Sequence, residues 1–321
     1  MRIVVLAGGI GGARFLQGVR AYARRVDADV TAVVNVGDDV TLHGLRICPD
    51  LDSVMYTLGG GADPERGWGR AGETWAVKEE LAAYGAEPTW FGLGDRDVAT
   101  HLVRTRMLDA GYPLSAVTAA LCDRWQPGVR LLPASDERVE THVVVADGAA
   151  LHFQEWWVRH HGELAAERFV FVGAEAAKPA AGVLDALAAA DVVLLAPSNP
   201  VVSIAPILAI APLRDAIVAG SAPVVGVSPI IGDAPVRGMA DKCLAALDVE
   251  CSPAGVGRLY GARSSGGVLD GWLVDTADAD DVARVEAAGI ACRAVPLMMT
   301  DLDATAAMAA ATLDLAAAVR R

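Results

Sequence analysis

The sequence predicts a doubly wound α/β protein with a mostly parallel, Rossmann-like sheet. Three observations carry that expectation. Short β-branched runs alternate with Ala-rich segments of helical pattern along the 321 residues. Several of the runs are apolar on both faces, as strands of a parallel sheet covered by helices must be. The first run ends in a glycine cluster that opens a helix, which is where such sheets bind phosphate.

In chain order, the strands read from the sequence are "RIVVLA" (2–7), "VTAVVNV" (30–36), "PTWFGL" (88–93) and "THVVVA" (141–146). They continue with "RFVFVG" (168–173), "DVVLLA" (191–196), "PVVGVS" (223–228) and "GWLVD" (271–275). Helices over 13–25, 179–190 and 302–321 fill intervals between them. Residues 98–125, "VATHLVRTRMLDAGYPLSAVTAALCDRW", contain no good strand and read as a helical excursion over the carboxyl edge of the sheet. No repeat, low-complexity tail or linker interrupts the pattern, so one domain over 1–321 is expected.

Composition narrows the function classes. With 27 Lys and Arg against 40 Asp and Glu, the formal charge is −13. A nucleic-acid partner is not expected, because neutralising a phosphate backbone needs a basic footprint. Five scattered cysteines, Cys48, Cys122, Cys243, Cys251 and Cys292, contain no C-x-x-C pair, so neither a zinc site nor a disulfide framework is expected. That usage suits a reducing, cytoplasmic setting, and the chain passes from Met1-Arg2 straight into a strand-like run without a secretory leader. Residues 192–213 are uncharged over the length of a membrane span, but Pro197, Pro200, Pro206 and Pro212 preclude a continuous helix. A buried strand, a tight loop and a short helix are expected there instead, with no membrane association.

The glycine turn "GGIGGAR" is Gly8, Gly9, Ile10, Gly11, Gly12, Ala13 and Arg14. Glycines allow close backbone approach, and a helix N-terminus offers free N–H groups with the positive end of the helix dipole. The nicotinamide fingerprint fits badly, since Arg14 stands where the third glycine belongs, and no G-K-[ST] follows to make a Walker motif. A dehydrogenase is therefore disfavoured. Arg14 opposes the dipole in the first helical turn, so a diphosphate is the expected partner of its charge.

Three acidic doublets follow strand-like runs: "NVGDD" with Asn35, Asp38 and Asp39, "CPDLD" with Asp50 and Asp52, and "GLGDRD" with Gly92, Asp95 and Asp97. Each alone reads equally well as turn or N-cap residues. Together they are expected to converge near the glycine turn, where carboxylates beside phosphate call for a hard cation such as Mg²⁺. A spare Asp could take the proton of an attacking hydroxyl. Two further loops, "APSNPVVSIAP" (196–206) and "VSPIIGDAPVRG" (227–238), follow buried strands and suit a nucleobase edge or a phosphate. "HFQEWW" (152–157) suits either a flat ligand or ordinary packing, while His101 reads as a helix-face residue.

These stretches in this order, with "LLPASDERVETHV" and the late "LMMTDL", resemble the 2-phospho-L-lactate transferase family of coenzyme F420 biosynthesis over nearly the whole chain. The wording "GGARFL" and "RICPDLD" is closer to the actinobacterial branch, whose donor is the enolpyruvyl conjugate. The resemblance implies Mg²⁺-dependent transfer of a phospho-lactyl or phospho-enolpyruvyl group from a guanosine diphosphate conjugate to the ribityl hydroxyl of the deazaflavin Fo. GMP is released and F420-0 or dehydro-F420-0 is formed.

It further implies donor contacts from Gly8, Gly9, Gly11, Gly12, Arg14, Asn35, Ser198, Asn199, Pro200, Ser203, Ser228 and Gly232. Asp52, Asp95 and the backbone at Gly92 would meet the acceptor. Metal would sit on Asp38, Asp39 and Asp52, with Asp52 and Asp39 as the catalytic carboxylates, in an enzyme expected to be a homodimer. Many members carry Thr and Lys where Ile10 and Arg14 stand, and a lysine in place of Gly92, so a contact there can only be through backbone. The rival from the same fold family is a nucleotide-sugar-binding regulator without catalysis, which would have no need to gather negative charge beside phosphate.

Overall fold

The computed structural model describes residues 1–320. Its central sheet has seven parallel strands: β1 (Arg2–Ala7), β2 (Asp29–Val34), β3 (Arg130–Pro133), β4 (Val192–Leu195), β5 (Val224–Val227), β6 (Gly271–Val274) and β7 (Ala291–Ala294). Their spatial order is β7-β6-β5-β4-β1-β2-β3. The chain winds outward from β1 through β2 to β3, then returns to lay β4 on the other side of β1. That reversal creates a topological switch point between β1 and β4, and doubly wound sheets bind ligands in the crevice beyond it.

The central strands are buried on both faces, with Val192–Leu195, Val224–Val227 and Gly271–Val274 buried at every residue. Helix α1 (Gly9–Arg25) leaves β1 directly, so the glycine turn is itself the first turn of the helix. The excursion lies between β2 and β3. It comprises a hairpin (Val40–Leu42 with Leu45–Ile47), α2 (Pro49–Leu58), α3 (Ala76–Ala83), α4 (Asp95–Asp109) and α5 (Leu114–Trp125). The last two are the expected helical segment. The C-terminal helix covers Leu302–Ala318 and packs along α1. The end of the expected helix, at Arg321, lies outside the described residues.

Three expectations need correction. Residues 88–93 form no strand: "PTWFGL" is an irregular segment whose Phe91 and Leu93 cover the apolar side of the 40–47 hairpin. Its aromatic residues imitate a strand, but Pro88 and Gly92 interrupt any ladder. The runs at 141–146 and 168–173 are strands, yet outside the main sheet. They pair antiparallel in a small sheet of Glu140–Val145, Ala150–His152 and Ala166–Val172. The alternating burial of Ala166–Val172 explains why, since a strand half open to solvent does not suit a doubly covered layer. The helix expected over 179–190 shortens to Val183–Ala188.

Among the described residues no single helix is long and apolar enough to cross a membrane. The proline-rich 192–213 stretch forms β4 and then Pro200–Ala209, which meets the following helix Leu213–Ala219 at 86°.

Candidate active site

The glycine turn lies at the carboxyl end of β1, at the switch point. Gly8 is the N-cap of α1 in an extended conformation, and no side chain caps the helix. The backbone N–H groups at Ile10 and Gly11 therefore remain available for an anion. Gly9 adopts φ 63°, the left-handed region that favours glycine.

What sits against these glycines is first of all the protein itself. Ser198, at the end of β4, accepts from Gly8 N at 3.1 Å and donates to Gly8 O at 2.8 Å. A Cβ on Gly12 would come within 2.6 Å of Ser198 Oγ, and one on Gly11 within 3.0 Å of Pro197 O. At Gly8 a Cβ would collide with Asp50 Oδ2 and with Ser203. Close approach of α2 and the "PSNP" loop thus dictates three of the four glycines, where the sequence suggested a ligand alone. Gly8→Ala is expected to cost about 1–3 kcal/mol by overpacking and to push Asp50 out of place. Thermal unfolding together with Mn²⁺ titration checks this, and an unchanged melting temperature with unchanged Mn²⁺ affinity would refute it.

The acidic residues form two sets. The first centres on Asn35, wholly buried at the end of β2. Its amide Nδ2 donates to Asp38 Oδ1 at 3.1 Å, Asp50 Oδ2 at 2.9 Å and Val202 O at 3.1 Å, while Oδ1 accepts from Gly37 N at 2.8 Å. An amide has two hydrogens, so three acceptors cannot all be fully satisfied. Burial pushes the Asp38 carboxyl well above the usual range, and repulsion from Asp50 adds to it. Burial likewise lifts Asp50 to about 6 against hydrogen bonds from Asn35 and the Gly9 backbone. Two buried carboxylates that repel one another, beside a helix N-terminus that no side chain caps, would suit a divalent cation, which would offset their charge.

The loop that carries Asp38 is held from the small sheet. Thr141 N donates to Gly37 O at 2.6 Å. His152, the first residue of "HFQEWW", places Nε2 at 3.1 Å from Asp39 O while its Nδ1 accepts from Gln154 N. Trp156 is core, its indole N–H donating to Leu164 O. The motif is therefore packing and loop support.

The second set lies against Arg46 and α4. Asp39 pairs with Arg46 at 3.0 Å, and its Oδ1 is buried without a partner. Burial raises its carboxyl to about 6, the Arg46 charge opposing. Asp52 is ion-paired with Arg104 of α4, which is only 2% exposed. His101 lies beside both, with Nδ1 at 3.7 Å from Asp52 Oδ2 and Nε2 at 3.3 Å from Asp97 Oδ2. Five of the six acidic residues thus fall into two sets, Asp38 with Asp50 and Asp39, Asp52 and Asp97, while Asp95 belongs to neither.

Other expected residues have structural partners. Asp95 accepts from Thr74 Oγ1, Ala76 N and Val77 N, which caps the start of α3 and leaves little capacity for substrate. Asn199 caps the turn at Pro200–Ile204 through Val201 N and Val202 N. Pro200 and Ser203 are buried in that turn. Ser228, at the end of β5, closes a turn on Ile230. Gly232 N donates to Asp278. Arg14 is exposed and donates to Met299 O at 3.1 Å, joining "LMMTDL" to the turn. Gly92 lies 3.5 Å, measured from an added Cβ, from the rings of Trp68 and Trp75. The guanidinium of Arg66 stacks over both rings, at 5.4 and 5.3 Å. The sequence reading missed Arg46, Arg104 and the burial of His101. The i, i+4, i+7 spacing of Asp97, His101 and Arg104 was the available signal.

Fold and site define a doubly wound α/β protein with a glycine-rich helix start that no side chain caps and paired carboxylates at its switch point. Residues 3–311 match the profile of the family described as 2-phospho-L-lactate transferase CofD, and the chain belongs to that family. It is similar to the phosphoenolpyruvate transferases of Streptomyces avermitilis, 67% identical over 323 residues, and Streptomyces griseus, 66% identical over 323 residues. These alignments cover 100% of this chain and at least 99% of the relatives. The protein of that name from Mycolicibacterium smegmatis is 59% identical, covering 98% of this chain and 99% of its own. A solved structure from Bacillus halodurans, described as a member of the UPF0052 family, shares the fold with TM-score 0.63 and 18% identity, covering 97% of this chain and 99% of that one. The chain is a transferase of phosphate-containing groups, in the family of coenzyme F420 biosynthesis, and its named relatives are those of the actinobacterial branch.

Proposed function

We propose that this enzyme transfers a phospho-enolpyruvyl group from enolpyruvyl-2-diphospho-5'-guanosine to the terminal ribityl hydroxyl of Fo, releasing GMP and forming dehydro-F420-0. The observation that carries the reading is the Asp38–Asn35–Asp50 cluster against the uncapped start of α1. The names of the relatives favour the enolpyruvyl donor over the lactyl one, whose product would be F420-0. Acidic residues at the switch point favour this over a non-catalytic nucleotide-sugar binder.

In this reading the N–H groups at Ile10 and Gly11 hold the diphosphate of the donor, and Arg14 lies over the same turn. Asp38 and Asp50 hold Mg²⁺, which when bound neutralises the diphosphate and eases departure of GMP. Arg46 and Arg104 occupy Asp39 and Asp52, and fixed guanidinium charges repel a cation. The metal role expected of those two carboxylates therefore passes to the Asn35-linked pair. Asp52 accepts the proton of the ribityl hydroxyl as its oxygen bonds to the donor's β-phosphorus and the bond from that phosphorus to the GMP oxygen breaks. The Trp68 and Trp75 faces beside Gly92 suit a flat deazaflavin. Positioning and charge neutralisation then supply the rate, as in phosphoryl transfer generally.

The test offers both donors with Fo and Mg²⁺ and reads the products by mass. Dehydro-F420-0 with stoichiometric GMP is expected. Preferential formation of F420-0 would overturn the donor assignment, and no GMP from either donor would overturn the reading itself.

A further inference from the structure

The transferase chemistry leaves a buried polar network on α4 without a part in the reaction. Asp97, His101 and Arg104 lie on one face at i, i+4 and i+7. His101 is 1% exposed and Arg104 2%. Burying a guanidinium that deeply costs several kcal/mol unless it is paired and fully hydrogen-bonded. Here Nη2 donates to Asp52 Oδ1, and Nη1 lies 3.0 Å from His101 Nδ1 and 3.3 Å from Arg46 O.

The proton positions follow from the donor inventory. A guanidinium only donates, so His101 Nδ1 must be an acceptor and the ring hydrogen lies on Nε2. Nε2 faces Asp97 Oδ2 at 3.3 Å, without a fully aligned hydrogen bond. Asp97 Oδ1 in turn accepts from Tyr56 Oη at 2.6 Å. The donors therefore diverge from Arg104, which gives to His101 on one side and to Asp52 on the other, while Tyr56 gives to Asp97 and His101 Nε2 meets Asp97 only as a close polar contact. At the other end Asp52 Oδ2 is buried, accepts no hydrogen bond and lies 3.7 Å from His101 Nδ1, so Arg104 alone fixes the carboxylate through Oδ1.

Asp52, Asp97 and His101 also come close enough to share a cation, with ligand atoms within 4.8 Å of one another. The guanidinium already occupies Asp52 Oδ1 and His101 Nδ1, so a metal would have to displace a fixed positive charge from its two best ligands. The geometry points instead to His101 and Arg104 as positioning residues, a buried pair on α4 that fixes the rotamer of Asp52 by holding its Oδ1 and so sets the orientation of Oδ2. This assignment rests on Asp52 as the proton acceptor of the proposed reaction. Neither residue touches substrate; each acts through Asp52.

Two substitutions separate the two contacts of the His101 ring. His101→Asn keeps an acceptor near the Nδ1 position but cannot reach Asp97. His101→Gln keeps a donor near the Nε2 position but withdraws the acceptor from Arg104. If the function runs through Arg104, His101→Gln lowers kcat on the order of 10–100-fold, with KM for the guanosine donor unchanged, and the loss in His101→Asn is clearly the smaller of the two. Both are compared at matched thermal stability. Equal losses in the two variants, or losses that follow melting temperature, would overturn the assignment. A readout independent of turnover is the ¹⁵N resonance pattern of the His101 ring in the full-length protein. An unprotonated, hydrogen-bonded Nδ1 and a protonated Nε2 are expected, and a protonated Nδ1 would overturn the inference. Failure of the wild type to turn over either donor with Fo would instead count against the proposed function, and the ring measurement would still decide the pairing of His101 with Arg104.

Discussion

Asp50→Asn will abolish transfer while making the metal-free protein more stable above pH 6. Asp50 is 4% exposed and shares Asn35 with Asp38, a second acid that burial also pushes upward, so a charge on Asp50 at neutral pH lies buried beside it. The folded carboxyl is displaced upward from 3.8 to about 6, chiefly by burial. For an upward displacement the native state binds the proton more tightly than the unfolded chain does. Stability is then fully present below about pH 4 and is lost as pH rises through 6. Asparagine removes the charge, keeps an oxygen for Asn35 Nδ2 to donate to, and relieves Asp38 of its nearest repulsion. A gain on the order of 1–3 kcal/mol at pH 8 is expected, with almost none at pH 4. Denaturant unfolding of metal-free wild type and variant at the two pH values reads it directly; a variant less stable at pH 8 contradicts the charge assignment. Loss of a divalent-cation ligand should cost on the order of 10³-fold or more in kcat/KM, equivalent to about 4 kcal/mol of barrier. Mn²⁺ titration should show weakened binding in parallel. A carboxylate that destabilises the empty protein yet is required by the loaded one is how an ion site differs from a structural acid.

The same pair shows where sequence reading succeeds and where it stops. β1, β2, β4, β5 and β6 are continuous apolar runs, and burial on both faces leaves such runs few other structures. The edge strands β3, "RLLP", and β7, "ACRA", each have one neighbour in the sheet and carry an arginine. They need less apolar surface, and nothing in their composition marks them. The acidic doublets were legible as a gathering but not as two sets. Asp50 and Asp52 lie two positions apart on α2, about 200° around a helix. One therefore faces the glycine turn while the other meets α4. That division follows from which elements flank α2, a tertiary fact. Asp97, His101 and Arg104 look like a solvated face until the side chains of α2 are laid against them. The glycines carry the opposite lesson: their spacing suggested a ligand cradle, and most of the closeness they permit is between α1, α2 and the loop after β4.

Replacement of Asp52 should separate chemistry from architecture, provided the substitution respects its partner. Asp52→Ala leaves the Arg104 guanidinium buried with no counter-charge, and breaking one side of a buried pair costs about 3–5 kcal/mol. That variant will unfold at markedly lower temperature, and its inactivity alone would say little about proton transfer. Asp52→Asn retains an oxygen for Arg104 Nη2 and the shape of the site, but its remaining group cannot take up a proton. General-base catalysis is worth about 10²–10⁴-fold, so the Asn variant should lose that much in kcat. Its affinity for GDP in the presence of Mg²⁺ should stay within about threefold of wild type if, as proposed, the nucleotide binds at α1 and the Asp38–Asp50 pair. Calorimetric GDP titration and single-turnover release of GMP measure the two effects on one preparation. If Asp52→Asn turns over normally, Asp52 is the counter-ion of Arg104 and nothing more, and the proton acceptor must be sought at the unpartnered Oδ1 of Asp39. If GDP binding fails as well, the two acidic sets are not independent, and the division of labour between Asp50 and Asp52 falls with it.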